Sequence, residues 1–450
     1  MYRWMFNQFV RTPTCKLGLS LILILGIISI AIGDQFLTRQ KENASQVAEK
    51  QQDHIKRNVE LHHDDIGLLL YYLKFAVVNE AQPLAALSIG QKDVNPSVQR
   101  VSILTLEGQK YDTDLVNPTK LLLGNLDLSF LLIYVFPLLI IAFTYNLRSE
   151  EVETGTWRMV QVMSRSSLSF LLTKLSVRMT LLVVGVISLF LIASITLRIS
   201  WDLPFMSFFI MSLLYVVFWF TLCFWIISFR RNSSFNALTL LSLWLVLVVL
   251  LPAALNNYMV NRYPVPEAFT TIIKQRDGYH QKWDTDKRET LVKFYTRYPQ
   301  FESYGYPSEE GFNWMWYYAM QHLGDDESSG ESKGMRAKIL QRETMSRKWA
   351  QFIPSLHTQL AFNDLANTSL TNHMAFLQYL ERFHEKTRLF FYPKIFSEVR
   401  AEEIDWAQFS PEYFHMSRGI SWVQRGLPLV FTIILFAGLA LWNVSKEEPA

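Results

Sequence analysis

Six stretches of this 450-residue chain carry no Asp, Glu, Lys, Arg or His and are each long enough to cross a bilayer. They lie between Lys16 and Asp34 (17 residues), Asp127 and Arg148 (20), Arg178 and Arg198 (19), Asp202 and Arg230 (27), Arg231 and Arg262 (30), and Arg425 and Lys446 (20). A helix needs about 20 mostly apolar residues to span the hydrocarbon, with roughly 17 as a working minimum. A charge at mid-span costs roughly 2.5–3.5 kcal/mol, so lipid-exposed helices must have such gaps. A buried core helix can imitate one of them but not six. The expected fold class is therefore an all-α polytopic membrane protein. Its organisation reads as an interfacial helix (1–16), spans at 17–33, 127–147, 169–197, 203–229, 232–256 and 425–445, insertions at 34–126 and 257–424, a connecting element at 148–168, and a tail at 446–450. The first span is followed by charged sequence with no small-x-small pattern, which argues against a cleaved signal peptide.

Lys and Arg in the short loops set the orientation. The segment before span one has Arg3, Arg11 and Lys16 without an acid, the 148–168 loop has Arg148, Arg158 and Arg165, and Arg230 and Arg231 join spans four and five. The reverse orientation would place only Arg198 from a short loop inside. Both termini are expected in the cytoplasm and both insertions on the far side, which is the periplasm for a bacterial inner membrane. Met1, Trp4, Met5, Phe9 and Val10 recur at helical steps with Arg3 and Arg11 between them, as in a helix lying in the interface.

A net charge of +3 gives no reason to expect a nucleic-acid partner. The two cysteines, Cys15 and Cys223, fall outside both insertions, so neither a disulfide nor a thiolate metal cluster is expected there. The chain has no phosphate-binding G-x-x-x-x-G-K-[ST] and no H-E-x-x-H. No span carries the ionisable residue that a proton- or sodium-driven carrier needs for its relay. A transporter built this way must take its energy from a partner.

The first insertion opens with a helix-compatible run, 38–65, and becomes apolar over Leu68–Val78. Pro83, Gly90, Asn95-Pro96 and Asn117-Pro118 then break it, and Val101–Leu106 is the strand candidate, a small α/β element in an otherwise helical insertion. His62-His63-Asp64-Asp65 reads as a solvated helix face, because adjacent helical residues point apart. The second insertion reads as helices over 276–297 and 335–352, with 324–334 as a flexible polar link and Phe312–Tyr318 as either a contact surface or a helical core set. Its densest part holds Asn363, Asp364, Asn372, His373, His384, Arg388 and Pro393. His373, Leu377, Glu381, His384 and Arg388 form one helical stripe, which Pro393 should end. The stripe could build a ligand or metal site. The plainer reading is histidines and an arginine that hold the helices together, since the histidines are not at a compact ligand spacing.

Between spans two and three runs Glu150-Glu151-Val-Glu153-Thr-Gly155-Thr156-Trp157-Arg158. Gly155 permits a sharp turn. Thr156 is placed to cap a helix over 157–163, with Glu153 complementing its positive end. Trp157, Val160 and Met163 could rest on the membrane surface while the acidic elbow faces the cytosol.

With Asp127-Leu-Ser-Phe, Tyr134-Val-Phe-Pro137, Phe143-Thr-Tyr145-Asn146, Ser164-Arg165 and Lys174 around it, this segment resembles that of ABC-2 type ABC transporter permeases. Phe362-Asn-Asp-Leu-Ala-Asn-Thr368, Asn372-His373, Phe383-His384 and Phe390-Phe-Tyr-Pro393 look like a branch with large periplasmic helical insertions, related to the permeases of gliding-motility and nitrous-oxide-reductase maturation systems. The resemblance covers most of the chain and is weakest over 38–110 and 270–350. It implies a six-helix permease subunit of an exporter, paired with a second permease as homodimer or sibling heterodimer. Two cytoplasmic ABC ATPase subunits would hold the ATP and magnesium, leaving this chain with no cofactor and no catalytic site of its own. Glu150, Glu151, Glu153, Gly155, Thr156, Trp157 and Arg158 would form the coupling element. Membrane lipid and a periplasmic partner complete the expected contacts. The two large insertions depart from the commonest members. A membrane-anchored receptor or sensor and a metal-dependent membrane enzyme using His373 and His384 are the alternatives.

Overall fold

The computed structural model describes residues 1–110, 124–164, 166–265, 283, 285–308, 310–416, 419 and 421–445. Among these are six helices long and apolar enough to cross a membrane. They are α2 (Pro13–Leu61), α5 (Leu128–Glu153), α7 (Ser167–Thr196), α8 (Leu203–Ile227), α9 (Ser233–Arg262) and α14 (Trp422–Ser445), and α1 (Tyr2–Val10) precedes them. The chain is an all-α polytopic membrane protein.

Short polar residues at or ahead of the apolar stretches start five of these helices. Thr12, Asp127, Ser166, Asp202 and Asn232 each accept the backbone N–H three residues on, from Cys15, Phe130, Ser169, Phe205 and Phe235 respectively. Each satisfies a donor that the first helical turn leaves unpaired. Prolines inside the spans are accommodated rather than avoided. π-Helical turns at Leu131–Val135 and Val246–Leu250 run just ahead of Pro137 and Pro252, where the missing N–H and the ring would disturb an α-helical ladder.

α8 is the axis of the bundle. Phe208, Tyr215, Trp219 and Cys223 on it are fully buried, and the Tyr215 hydroxyl donates to the carbonyl of Ile133 at 3.2 Å. α2 packs close on its neighbours at small residues. A Cβ at Gly26 would overlap Leu189, and one at Gly33 would overlap the carbonyl of Ala86. α9 and α14 turn most of their apolar surface outward.

The two insertions fold into one body. α2 continues well beyond its apolar part and ends only at Leu61, so the helix-compatible run is the same helix that crosses the membrane. After α3 (Ile66–Tyr72) come strands β1 (Phe75–Asn79) and β2 (Val98–Val101), then α4 (Leu106–Lys110). The second insertion supplies α10 (Lys287–Arg297), α11 (Trp314–Ala350), α12 (Pro354–Leu365), α13 (Leu370–Phe396) and β3 (Glu412–Phe414). β1 is the middle strand of a three-stranded sheet, antiparallel to β2 (Phe75 opposite Val101) and parallel to β3 (Val77 opposite Glu412). The core joins Ile55, Leu70 and Phe75 of the first insertion to Leu291, Phe294, Tyr318 and Phe391 of the second. α12 seats this body on the bundle, where Phe362 stacks on Phe208 with ring centroids 4.1 Å apart.

Several expectations are corrected. The strand lies at Val98–Val101 rather than Val101–Leu106, and β1 sits in the run Leu68–Val78, where all five strand residues are buried and no alternation marks them. Residues 324–334 are not a flexible link. They are helical within α11, because Ser328, Ser332 and Met335 pack inward and Asp325 pairs with Arg388. Pro393 does not end its helix. α13 runs on to Phe396, with Phe391, Tyr392 and Ile395 buried around the proline. Phe312–Tyr318 is mainly core: Met315, Trp316, Tyr317 and Tyr318 are buried. Asn117-Pro118 and most of 276–284 lie outside the described residues.

Candidate functional site

α5 spans the bundle between two polar anchors. At its start, Asp127 accepts the Ile89 N–H at 2.8 Å, fixing it to the body formed by the two insertions, and the Ser129 hydroxyl at 2.7 Å. At its other end the chain turns through Thr154–Thr156 into α6 (Trp157–Met163), with Gly155 at a φ of +76° that glycine adopts without strain.

The carboxylates of this elbow are tethers to two further spans. Glu151 accepts Lys174 of α7 at 2.8 Å and the Thr156 hydroxyl at 2.5 Å. Glu153 accepts both the Ser233 N–H at 2.8 Å and the Ser233 hydroxyl at 2.9 Å, so it helps cap α9. Ser149 meets Ser233 at 2.7 Å, and Asn236 donates to the carbonyl of Tyr145 at 3.1 Å. Glu150 is half-exposed and 3.7 Å from Lys174. The expected helix over 157–163 is present, but its capping is not as the sequence suggested. Thr156 directs its hydroxyl to Glu151 rather than forward, and Glu153 caps α9 instead of complementing α6. Trp157 does not lie free on a surface. Arg148 stacks over its ring at 4.7 Å, and it packs on the cluster of Leu147, Leu171, Phe224 and Ile227. Arg158 is exposed, as are the apolar side chains of Met159 (64%), Val162 (87%) and Met163 (80%). Sequence reasoning placed Met163 on a surface but missed Met159 and Val162 beside it.

The residues singled out in the second insertion form seams. The side-chain oxygen of Asn363 accepts the Ser88 hydroxyl at 2.7 Å, and Asp364 receives a two-pronged bond from Arg347 at 2.5 and 3.0 Å. Asn372 faces Asn79 of β1 at 3.5 Å. His384 meets the carbonyl of Leu104 at 2.9 Å. Arg388, only 2% exposed, donates to the carbonyls of Ile103 (3.0 Å) and Leu104 (2.5 Å) and to Asp325 (2.6 Å). Glu381 is shared by Lys110 of α4 and Arg336 of α11; burial raises its pKa, and those two cations outweigh this and hold it below the usual carboxylate range. Arg388, His384 and Glu381 therefore join the two insertions. His384 meets backbone, and the Nδ1 of His373 is buried without a hydrogen-bond partner. Among the described residues no three His, Cys, Asp or Glu side chains converge as a metal site would require.

Burial pushes His373 down to about 4 and His384 well below its usual value, the latter aided by the Arg388 cation. Both are neutral in the folded state near neutrality. An unfolded histidine takes up a proton below about 6.5, so the unfolded chain binds more protons and stability falls as pH drops from about 6.5 towards 4. The outer body is expected to melt several degrees lower at pH 5 than at pH 7, and His384→Gln should flatten that slope. A melting temperature independent of pH over that window would show that the histidines are not buried as described.

Residues 268–415 match the family profile described as a domain of unknown function (DUF3526), which covers most of the second insertion through β3 and none of the spans. No curated protein and no solved structure matches the chain.

Proposed function

We propose that this chain is the membrane-spanning permease subunit of an ABC-2 type transporter, an exporter driven by separate cytoplasmic ATPase subunits. The observation that supports this most directly is the elbow between α5 and α7. One short, exposed, apolar helix is tied through Glu151 to α7 and through Glu153 to α9, while α5 leads into it. A push on α6 would reach three spans through charged, short-range bonds instead of being absorbed by a loose loop. Charge-assisted hydrogen bonds suit this, being shorter and roughly twice as strong as neutral ones.

In this reading both termini and the elbow face the cytoplasm, as the Lys and Arg distribution indicates, and the outer body stands in the periplasm. ATP closes the partner ATPase pair, α6 moves with it, and the bundle shifts beneath the outer body. A second permease, the same chain or a sibling, completes the pathway. The outward-facing apolar surfaces of α9 and α14 leave room for that partner and for lipid.

Affinity purification of the tagged full-length chain from its native membrane in mild detergent, followed by mass spectrometry, tests the proposal. The expected result is a stoichiometric P-loop ATPase. Repeated recovery of the chain without one would overturn it.

A further inference from the structure

Beneath α1, where α5 ends and α7 begins, lies a cavity of about 400 Å³. α1 roofs it. Tyr2 donates to Thr180 of α7 at 2.9 Å, and the Phe9 ring lies edge-on against Phe143 at 5.2 Å. Four charged side chains line the cavity: Lys174, Arg178, Glu150 and Glu151. Two of them satisfy each other, since Glu151 takes Lys174 on one oxygen and Thr156 on the other.

Arg178 is different. It is 5% exposed, and its Nη1 has no hydrogen-bond partner. The Phe9 ring lies 5.0 Å from the guanidinium carbon, and Glu150 and Glu151 act on the guanidinium electrostatically across the same cavity without a salt bridge. A cation over an aromatic face recovers only about 0.5–2 kcal/mol, whereas a buried charge normally has a hydrogen-bonded counter-ion. Glu150, at the edge of the same cavity, has a side chain 50% exposed and only the 3.7 Å contact to a lysine that Glu151 holds more closely. The cavity thus offers one buried cation whose Nη1 has no hydrogen-bonded counter-ion and one accessible carboxylate. Its charge is balanced overall, which suits a zwitterion better than a bare anion. Arg178 is also the last charge before the 19 uncharged residues of span three, which puts it at headgroup depth. Phe9, Phe143 and Val177 supply an apolar wall on which a glycerol backbone and upper acyl chain can lie.

We propose that this cavity binds the headgroup of an amine-bearing phospholipid, with its phosphate on Arg178 and its ammonium towards Glu150. The lipid pins α1 to the elbow and completes the inner face of the bundle.

The test uses the full-length protein, delipidated in detergent, with thermal melting and native mass spectrometry after adding phosphatidylethanolamine, phosphatidylglycerol, inorganic phosphate or glycerophosphoethanolamine. Phosphatidylethanolamine should raise the melting temperature by several degrees and stay bound, and phosphatidylglycerol should do so less. Arg178→Met should invert the pattern. Without lipid it melts at or above the parent, because a buried charge with an unsatisfied Nη1 is gone, and added lipid no longer stabilises it. Glu150→Gln, at a half-exposed position that leaves the fold intact, should lose the preference for phosphatidylethanolamine over phosphatidylglycerol. Equal stabilisation of the parent by the two lipids, or lipid retention by Arg178→Met equal to the parent's, overturns the proposal. Full stabilisation by inorganic phosphate or glycerophosphoethanolamine alone also overturns it, by assigning the site to a free anion or a soluble headgroup.

Discussion

Arg388→Ala should cost the outer body about 3–5 kcal/mol, the scale for breaking a buried pair by removing one partner. The guanidinium is 2% exposed and serves two carbonyls of the first insertion and a carboxylate of the second. Its removal leaves the Ile103 and Leu104 carbonyls short of donors and strands the Asp325 charge. Asp325 would keep only the Leu106 N–H, which it accepts at 2.8 and 2.9 Å. Limited proteolysis should then cut within 98–110 and 320–335 at denaturant concentrations the parent withstands. The double variant Arg388→Met, Asp325→Asn should recover part of the loss, since no unpaired charge stays buried. A single variant within about 1 kcal/mol of the parent, the range of ordinary substitutions, would mean that the sheet and aromatic core alone hold the insertions together.

If the chain is the permease proposed above, reversing both Glu151 and Glu153 to lysine should lower coupled ATPase activity of the reconstituted complex at least about tenfold, equivalent to ~1.4 kcal/mol. Lysine at 151 would face Lys174 and Arg178 at close range, and lysine at 153 would leave the start of α9 without its carboxylate. Neither change touches a span's apolar stretch, so insertion and yield should be retained. Glu150→Lys is the control: its carboxylate is half-exposed and weakly paired, and its effect should be smaller. Activity unchanged in the double variant would remove the elbow from the coupling path, even with the ATPase bound.

The spans were legible because charge is excluded from lipid so strongly that gaps in the sequence reveal them. Their starts were legible too, since Asp127, Asp202 and Asn232 mark the ends of the gaps and cap the helices. What escaped were long-range choices. Glu153 pairs with a residue 80 positions away, and no local pattern distinguishes that from capping the next helix. β1 is buried throughout, so its FAVVN lacks the alternation that identifies a half-buried strand. Its partners come from both insertions, which made two domains of one. The polar run 324–334 has flexible composition, but Asp325 and Ser332 each meet a partner across the body while Ser328 is buried and bonds back to its own helix, and tertiary contacts override weak local preference. The stripe on α13 was located correctly, and what it holds is backbone and carboxylate.

α2 is one unbroken helix of 49 residues. At 1.5 Å per residue it is a rod roughly 73 Å long. Its lower end passes beside the elbow, and its upper end carries Gln51, which grips β1 through the Ala76 N–H at 2.7 Å and the chain ahead of β3 through the Phe409 carbonyl at 2.8 Å. A rod of that length, tilted about 10° about its base, sweeps its tip roughly 13 Å. A tilt at the elbow end is thus carried along the rod, with no break in the helix on the way to absorb it. Because the joined insertions are also seated on the bundle at Phe362 and Asp127, such a tilt would load those seats rather than be lost in a loop.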